Sequence, residues 1–178
     1  GLEAVAVGLG AAAVGVQVAV EPQAHGRGES VVLWFGRRKN ARLVDRELVR
    51  QAIIAAELGT SGEIRVSLAP FFWGNVRKAA ERAFVRLGMT NTRDRNGILF
   101  FVVPSRRAFV VLGDAGIHAR VGQQFWDDLA RILATHFKHA EFTAGLVAAI
   151  SLAGEQLANY FPYQPDADKN ELPNEMDG

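Results

Sequence analysis

A chain of 178 residues is long enough for one domain of ordinary size with flanking segments, and 49% hydrophobic against 22% charged residues fits a globular protein. It has no cysteine, which excludes disulfides and thiolate catalysis and removes the ligand that soft metals prefer. The formal net charge of +1 is unevenly placed: residues 164–178 hold five acids and one lysine, net −4, which leaves +5 for the rest, too mild an excess to argue for nucleic acid.

The first elements read weakly. Ala4–Val20 is an uncharged run made mostly of Ala, Val and Gly. It is short and poor in large apolar residues for a bilayer span, and no basic stretch precedes it as in a signal peptide. Gly8-Leu9-Gly10-Ala11 imitates a dinucleotide fingerprint, but Glu21-Pro22 stops any following helix too early for a βαβ unit, so no nucleotide cofactor is expected. Residues 1–40 therefore read as a flexible N-terminal extension. Within them Val31–Phe35, followed by Gly36-Arg37-Arg38-Lys39, suits either an edge strand packed on the domain or an apolar anchor with a basic flank near a membrane. Packing on the domain is the preferred reading.

The domain proper is expected over residues 41–163. Asp45 is a helix N-cap, with Leu48, Ala52, Ala55 and Ala56 at helical spacing and Gly59 as the stop. Thr60-Ser61-Gly62 turns the chain into a strand, Glu63–Leu68, ended by Pro70. A second helix over about 75–87 carries Ala79, Ala80, Ala83, Phe84 and Leu87 inward, and its arginines form a solvated face. Ile98–Val103 and Ala108–Leu112, broken by Pro104-Ser105-Arg106-Arg107, form a hairpin that sets Ile98 opposite Gly113. Neither run alternates cleanly, so helices should cover both faces. Two long helices, 122–137 and 142–160, close the domain, with small residues of the second expected to allow close approach to the sheet, and residues 164–178 read as an acidic disordered tail.

Strand, helix, strand makes Glu63–Leu68 parallel to Ile98–Val103, with the third strand antiparallel. That order brings Glu63, Asp94, Asn96 and Asp114 to one rim of the sheet. Without cysteine, such a rim suits a hard cation, with Asp94 and Asp114 as primary ligands and Asn96 and Glu63 as secondary ones. The plainer reading is a turn at Asp94–Gly97, a helix cap at Asp114 and an arginine partner for Glu63. For phosphoryl transfer, Asp114 would be nucleophile or base, His118 the acid and Arg93 or Arg95 the phosphate clamp, although no familiar phosphatase signature is present. His136 and His139, three apart near a helix end with Glu141 beyond, could hold a transition metal on one face, but favourable contact of the imidazoles with the helix C-terminus is simpler. Phe71-Phe72-Trp73, at the opposite sheet end, would serve either as a patch for a protein partner or as a cover over the core.

Ser61-Gly62-Glu63-Ile64-Arg65-Val66, Arg95-Asn96-Gly97-Ile98-Leu99-Phe100-Phe101-Val102, Val111-Leu112-Gly113-Asp114-Ala115-Gly116-Ile117 and Phe142-Thr143-Ala144-Gly145-Leu146, in this order, resemble the TPM domain. That family is named for a thylakoid lumen protein, a photosystem repair protein and a modulator of an acetylcholine receptor. The resemblance spans about residues 45–161 and implies a three-layer α/β/α sandwich with a Rossmann-like mixed sheet. It also implies an uncharacterised bacterial accessory or interaction protein, with some members described as calcium-binding and a plant one as an acid phosphatase. Many members are tethered to or lie outside a membrane. Asn170-Glu171-Leu172-Pro173 is similar to the tail of a bacterial subgroup without the usual downstream membrane helix, so a cytoplasmic or membrane-associated location is expected. Where many members have Gly, an aromatic residue and Gly after the third strand, this chain has Gly113-Asp114-Ala115-Gly116.

Overall fold

The computed structural model describes residues 43–163. The glycine motif near the start, the Val31–Phe35 run and the acidic tail lie outside the described residues.

The chain order is α1 (Arg46–Glu57), β1 (Ile64–Leu68), α2 (Val76–Arg86), β2 (Ile98–Val103), a 3-10 turn (Pro104–Arg106), β3 (Ala108–Gly113), α3 (Ala115–Arg120), α4 (Gln123–Lys138) and α5 (Phe142–Tyr160). The strands lie side by side as β1-β2-β3. β1 runs parallel to β2 from Ile64 opposite Ile98 to Leu68 opposite Val102. β2 and β3 are antiparallel from Ile98 opposite Gly113 to Val103 opposite Ala108, the register expected from the position of the turn. Arg107 closes that turn in the left-handed region at φ 50° and donates its N–H to the Pro104 carbonyl.

The two faces of the ribbon build two cores because successive strand side chains point to opposite sides. Ile98, Phe100, Val102, Phe109 and Val111 face α1, α4 and α5, where Val49, Ile53, Leu133, Phe137, Leu146 and Ile150 meet them. Leu99, Phe101, Val103, Val110 and Leu112 face α2 and bury Ala80, Ala83, Phe84 and Met89. The result is an α/β sandwich in three layers with a mixed sheet. Each large apolar side chain so enclosed is worth about 1.5–3 kcal/mol relative to exposure, which explains why both strands are buried along their whole length.

Two expectations shift. α1 is capped by the Asp45 carboxylate, which accepts from the N–H groups of Glu47 and Leu48. Its inward stripe centres on Val49 and Ile53, with Ala52 and Ala56 packed partly against the same core, while Leu48 and Ala55 face solvent. The small residues of α5 give close approach to helices rather than to the sheet. A methyl on Gly154 would stand 2.6 Å from the Ala56 Cβ of α1, and one on Gly145 would stand 2.8 Å from the His136 Cβ of α4.

Candidate functional site

The loop before β2 and the turn after β3 meet at one end of the sheet, and backbone bonds join them. Asp114 donates its N–H to the Gly97 carbonyl at 2.9 Å, while Gly116 and Ile117 donate to the Arg95 carbonyl at 2.7 and 3.2 Å. Arg95 can offer that carbonyl because its φ is 52°, a conformation that a side-chain-bearing residue adopts only where its surroundings hold it. Contact is close enough that a Cβ on Gly116 would lie 2.0 Å from the Asp94 carbonyl oxygen. Only glycine fits there.

Arg95 then folds back over the same turn. Its Nε and Nη2 donate to the two oxygens of Asp114 at 2.6 and 2.8 Å, and Ala115 N–H donates to Oδ1 at 2.7 Å as the cap of α3. Asp114 is fully buried, whereas the guanidinium keeps one side in water. This bidentate pair is the strong form of a carboxylate–arginine contact. The Asp114 carboxylate in turn holds the Arg95 guanidinium above its usual range by hydrogen bond and charge.

The other rim acids are engaged elsewhere. Glu63 is buried against Arg65, whose Nη2 donates to it at 3.0 Å. Arg65 also donates to Glu57 of α1 at 3.2 Å and to the Ile64 carbonyl at 2.6 Å. Glu57 accepts the Ile64 N–H at 2.7 Å, and burial, aided by the Glu63 charge, pushes its carboxyl up to about 7. Asp94 stands partly in solvent beside the Arg93 guanidinium at 3.1 Å. Asn96 is buried, donates from Nδ2 to Ser61 Oγ at 3.3 Å, and has no protein partner for Oδ1.

Fold topology thus brings Glu63, Asp94, Asn96 and Asp114 to one rim, but their side chains do not form one ligand set. Among the described residues no group of three or more His, Asp and Glu is placed to hold a metal. Calcium wants about six to eight oxygens, and here both Asp114 oxygens are already spent on Arg95 and the α3 amide. The donors as arranged do not fit a resident calcium ion. A positive side chain stands where the cation was expected.

The catalytic grouping separates as well. The His118 ring stacks on Trp126 with centroids 6.1 Å apart and planes 26° apart, and its Nδ1 is buried without a partner. Arg95, expected as a phosphate clamp, is committed to Asp114. His136 pairs with Glu141 at 2.8 Å and His139 ends α4, so these two histidines serve the α4–α5 corner.

The three-residue aromatic run at the far end of β1 divides. Phe72 packs under the α2 core, close enough that a Cβ on Gly74 would stand 2.7 Å from its ring. Phe71 and Trp73 point outward and are 81% and 85% exposed. Leu43, 52% exposed, lies at the same end and lines a shallow depression of about 400 Å³ with Val44, Arg46, Leu68, Pro70 and Pro104. The hairpin tip reaches this loop, since Arg106 donates to the Gly74 carbonyl at 2.9 Å.

The alternation Glu63, Arg65, Ser67 marked one polar face of β1 in the sequence and could have found the Arg65 cluster. Nothing local signalled Glu57 as its partner, nor Arg95 as the partner of Asp114.

The TPM domain model matches residues 42–156. Among solved structures, the BA42 protein of the psychrophilic bacterium Bizionia argentinensis is 38% identical with a TM-score of 0.71, over 79% of this chain and 99% of that one. The N-terminal domain of the cg2496 protein of Corynebacterium glutamicum is 13% identical with a TM-score of 0.50, over 62% of this chain and 70% of that one, a likeness of fold alone. No curated protein matches the chain.

Proposed function

The chain belongs to the TPM domain family, and from that premise we propose that it is an accessory domain that acts by binding, not by catalysis, through the Phe71 and Trp73 end of its sheet. The observation that carries this reading is the exposure of those two rings, 81% and 85%, on a loop whose middle residue Phe72 anchors it to the core. Large aromatics left in water without structural need are a usual mark of a binding surface. The acid junction supports the same reading from the other side. Asp114 and Arg95 satisfy one another, as do Glu63 and Arg65, so the residues expected as nucleophile and phosphate clamp are engaged with each other. A phosphatase reading would need Asp114 released from Arg95 and His118 turned away from Trp126.

The test is a binding comparison using extracts of the source organism, with membrane and soluble fractions kept apart. The full chain is used as bait beside its Phe71→Ser/Trp73→Ser variant. A binder retained by the parent and lost by the variant, with unchanged thermal unfolding, is the expected result. Equal retention by both proteins would remove this end of the sheet from the account.

A further inference from the structure

Resting on that reading, we infer that the surface bound by the Phe71–Trp73 end is an anionic lipid bilayer, on which the domain lies without crossing it. No helix among the described residues is long and apolar enough to span a membrane.

Three observations favour lipid over a protein groove. First, the rings stand off the surface. Protein hot spots are usually seated in well-packed pockets, whereas the headgroup layer deforms around protruding side chains and favours tryptophan at its boundary. Second, the rim is basic. Arg46 borders the depression, Arg106 touches the aromatic loop, Arg107 is exposed at the hairpin tip, and Lys78 is exposed in the first turn of α2. Of the acids in this stretch, Glu47 pairs with Arg50 at 2.7 Å, and the Asp45 carboxylate is turned onto the N-terminal amides of α1. An apolar centre with a positive border matches anionic headgroups over acyl chains. It also disfavours a second copy of the chain, since docking two such faces would oppose arginines with arginines.

Third, the polypeptide enters the domain at this end. Leu43 lines the depression, and the preceding sequence holds Arg37-Arg38-Lys39 after the apolar run Val31–Phe35. Four residues from Lys39 to Leu43 tether that positive charge within at most about 14 Å of Leu43.

The experiment is co-sedimentation of the full chain with phosphatidylcholine vesicles, with and without phosphatidylglycerol, at low and raised ionic strength. The parent should pellet with anionic vesicles only and release as salt rises. Phe71→Ser/Trp73→Ser should weaken partitioning by at least about tenfold, and Arg106→Gln/Arg107→Gln by a few-fold, with circular dichroism unchanged. A parent that stays in the supernatant with both vesicle types overturns the inference, as does an aromatic variant that binds like the parent. If vesicles fail while a protein from the extract is still lost on the same aromatic substitution, the lipid assignment falls and the binding reading stands. If the substitution changes neither, both fall.

Discussion

Arg95 and Asp114, 19 residues apart in sequence, form a two-point ion pair at 2.6 and 2.8 Å that locks the loop entering β2 onto the N-terminus of α3. Geometry at the site end of the sheet follows from it. Asp114 is buried and caps α3, and Arg95 gives its carbonyl to the same turn that its side chain neutralises.

Removing either partner should therefore cost stability. Arg95→Ala leaves a buried carboxylate with one amide donor, and the expected loss is roughly 2–3 kcal/mol. Asp114→Ala removes the cap as well, for a loss of about 3 kcal/mol. Urea unfolding measures both. A double substitution should cost less than the sum of the two, because the pair acts as one unit.

Gly116→Ala is expected to lower stability by about 2–4 kcal/mol, since the new methyl would meet the Asp94 carbonyl oxygen at 2.0 Å and the Arg95 carbonyl oxygen at 2.7 Å. Both obstacles are backbone and cannot swing aside. By contrast, Gly122→Ala, where a Cβ meets nothing within 4 Å, should stay near neutral in the same melts.

Glu57 predicts a pH dependence. Burial, with the Glu63 charge adding to it, raises its carboxyl from 4.5 to about 7, so the folded chain holds a proton there that the unfolded chain has released. Its contribution is complete below the unfolded value of 4.5 and is lost as pH rises through about 7. The full swing is at most about 3 kcal/mol. Glu57→Gln keeps an oxygen for the Ile64 N–H and should flatten this slope, read by urea unfolding between roughly pH 5 and pH 9. An unchanged slope in the variant would assign the effect to another group.

The hairpin was legible in the sequence because two apolar runs flank one polar break, and a turn in that place leaves a single register with Ile98 opposite Gly113. α5 was equally legible, with Phe142 and Tyr160 as its ends, because its small and apolar residues recur at helical spacing. α3 was legible only as a helix start, through Asp114 as a cap, and its bounds were not assigned. Its six residues lack an apolar period, and it forms because Asp114 and the Arg95 carbonyl satisfy its first N–H groups. The rim was legible as topology but not as chemistry. Strand order places Glu63, Asp94 and Asp114 at one end, yet the direction of each carboxylate is set by Arg65, Arg93 and Arg95, and such pairings leave no periodic trace. Strand-like alternation beyond Pro70 did hold the key to the aromatic run, since Phe71 and Trp73 share a side and Phe72 opposes them.

The most direct measurement follows backbone amide shifts of the full chain while calcium, and separately inorganic phosphate, is added to about millimolar. With Arg95 filling the place of a cation and Asp114 already satisfied, the amides of residues 93–97 and 113–118 should stay where they are with both additions. Saturable movement of those amides with either ion would contradict the account and return the junction to the standing of a ligand site.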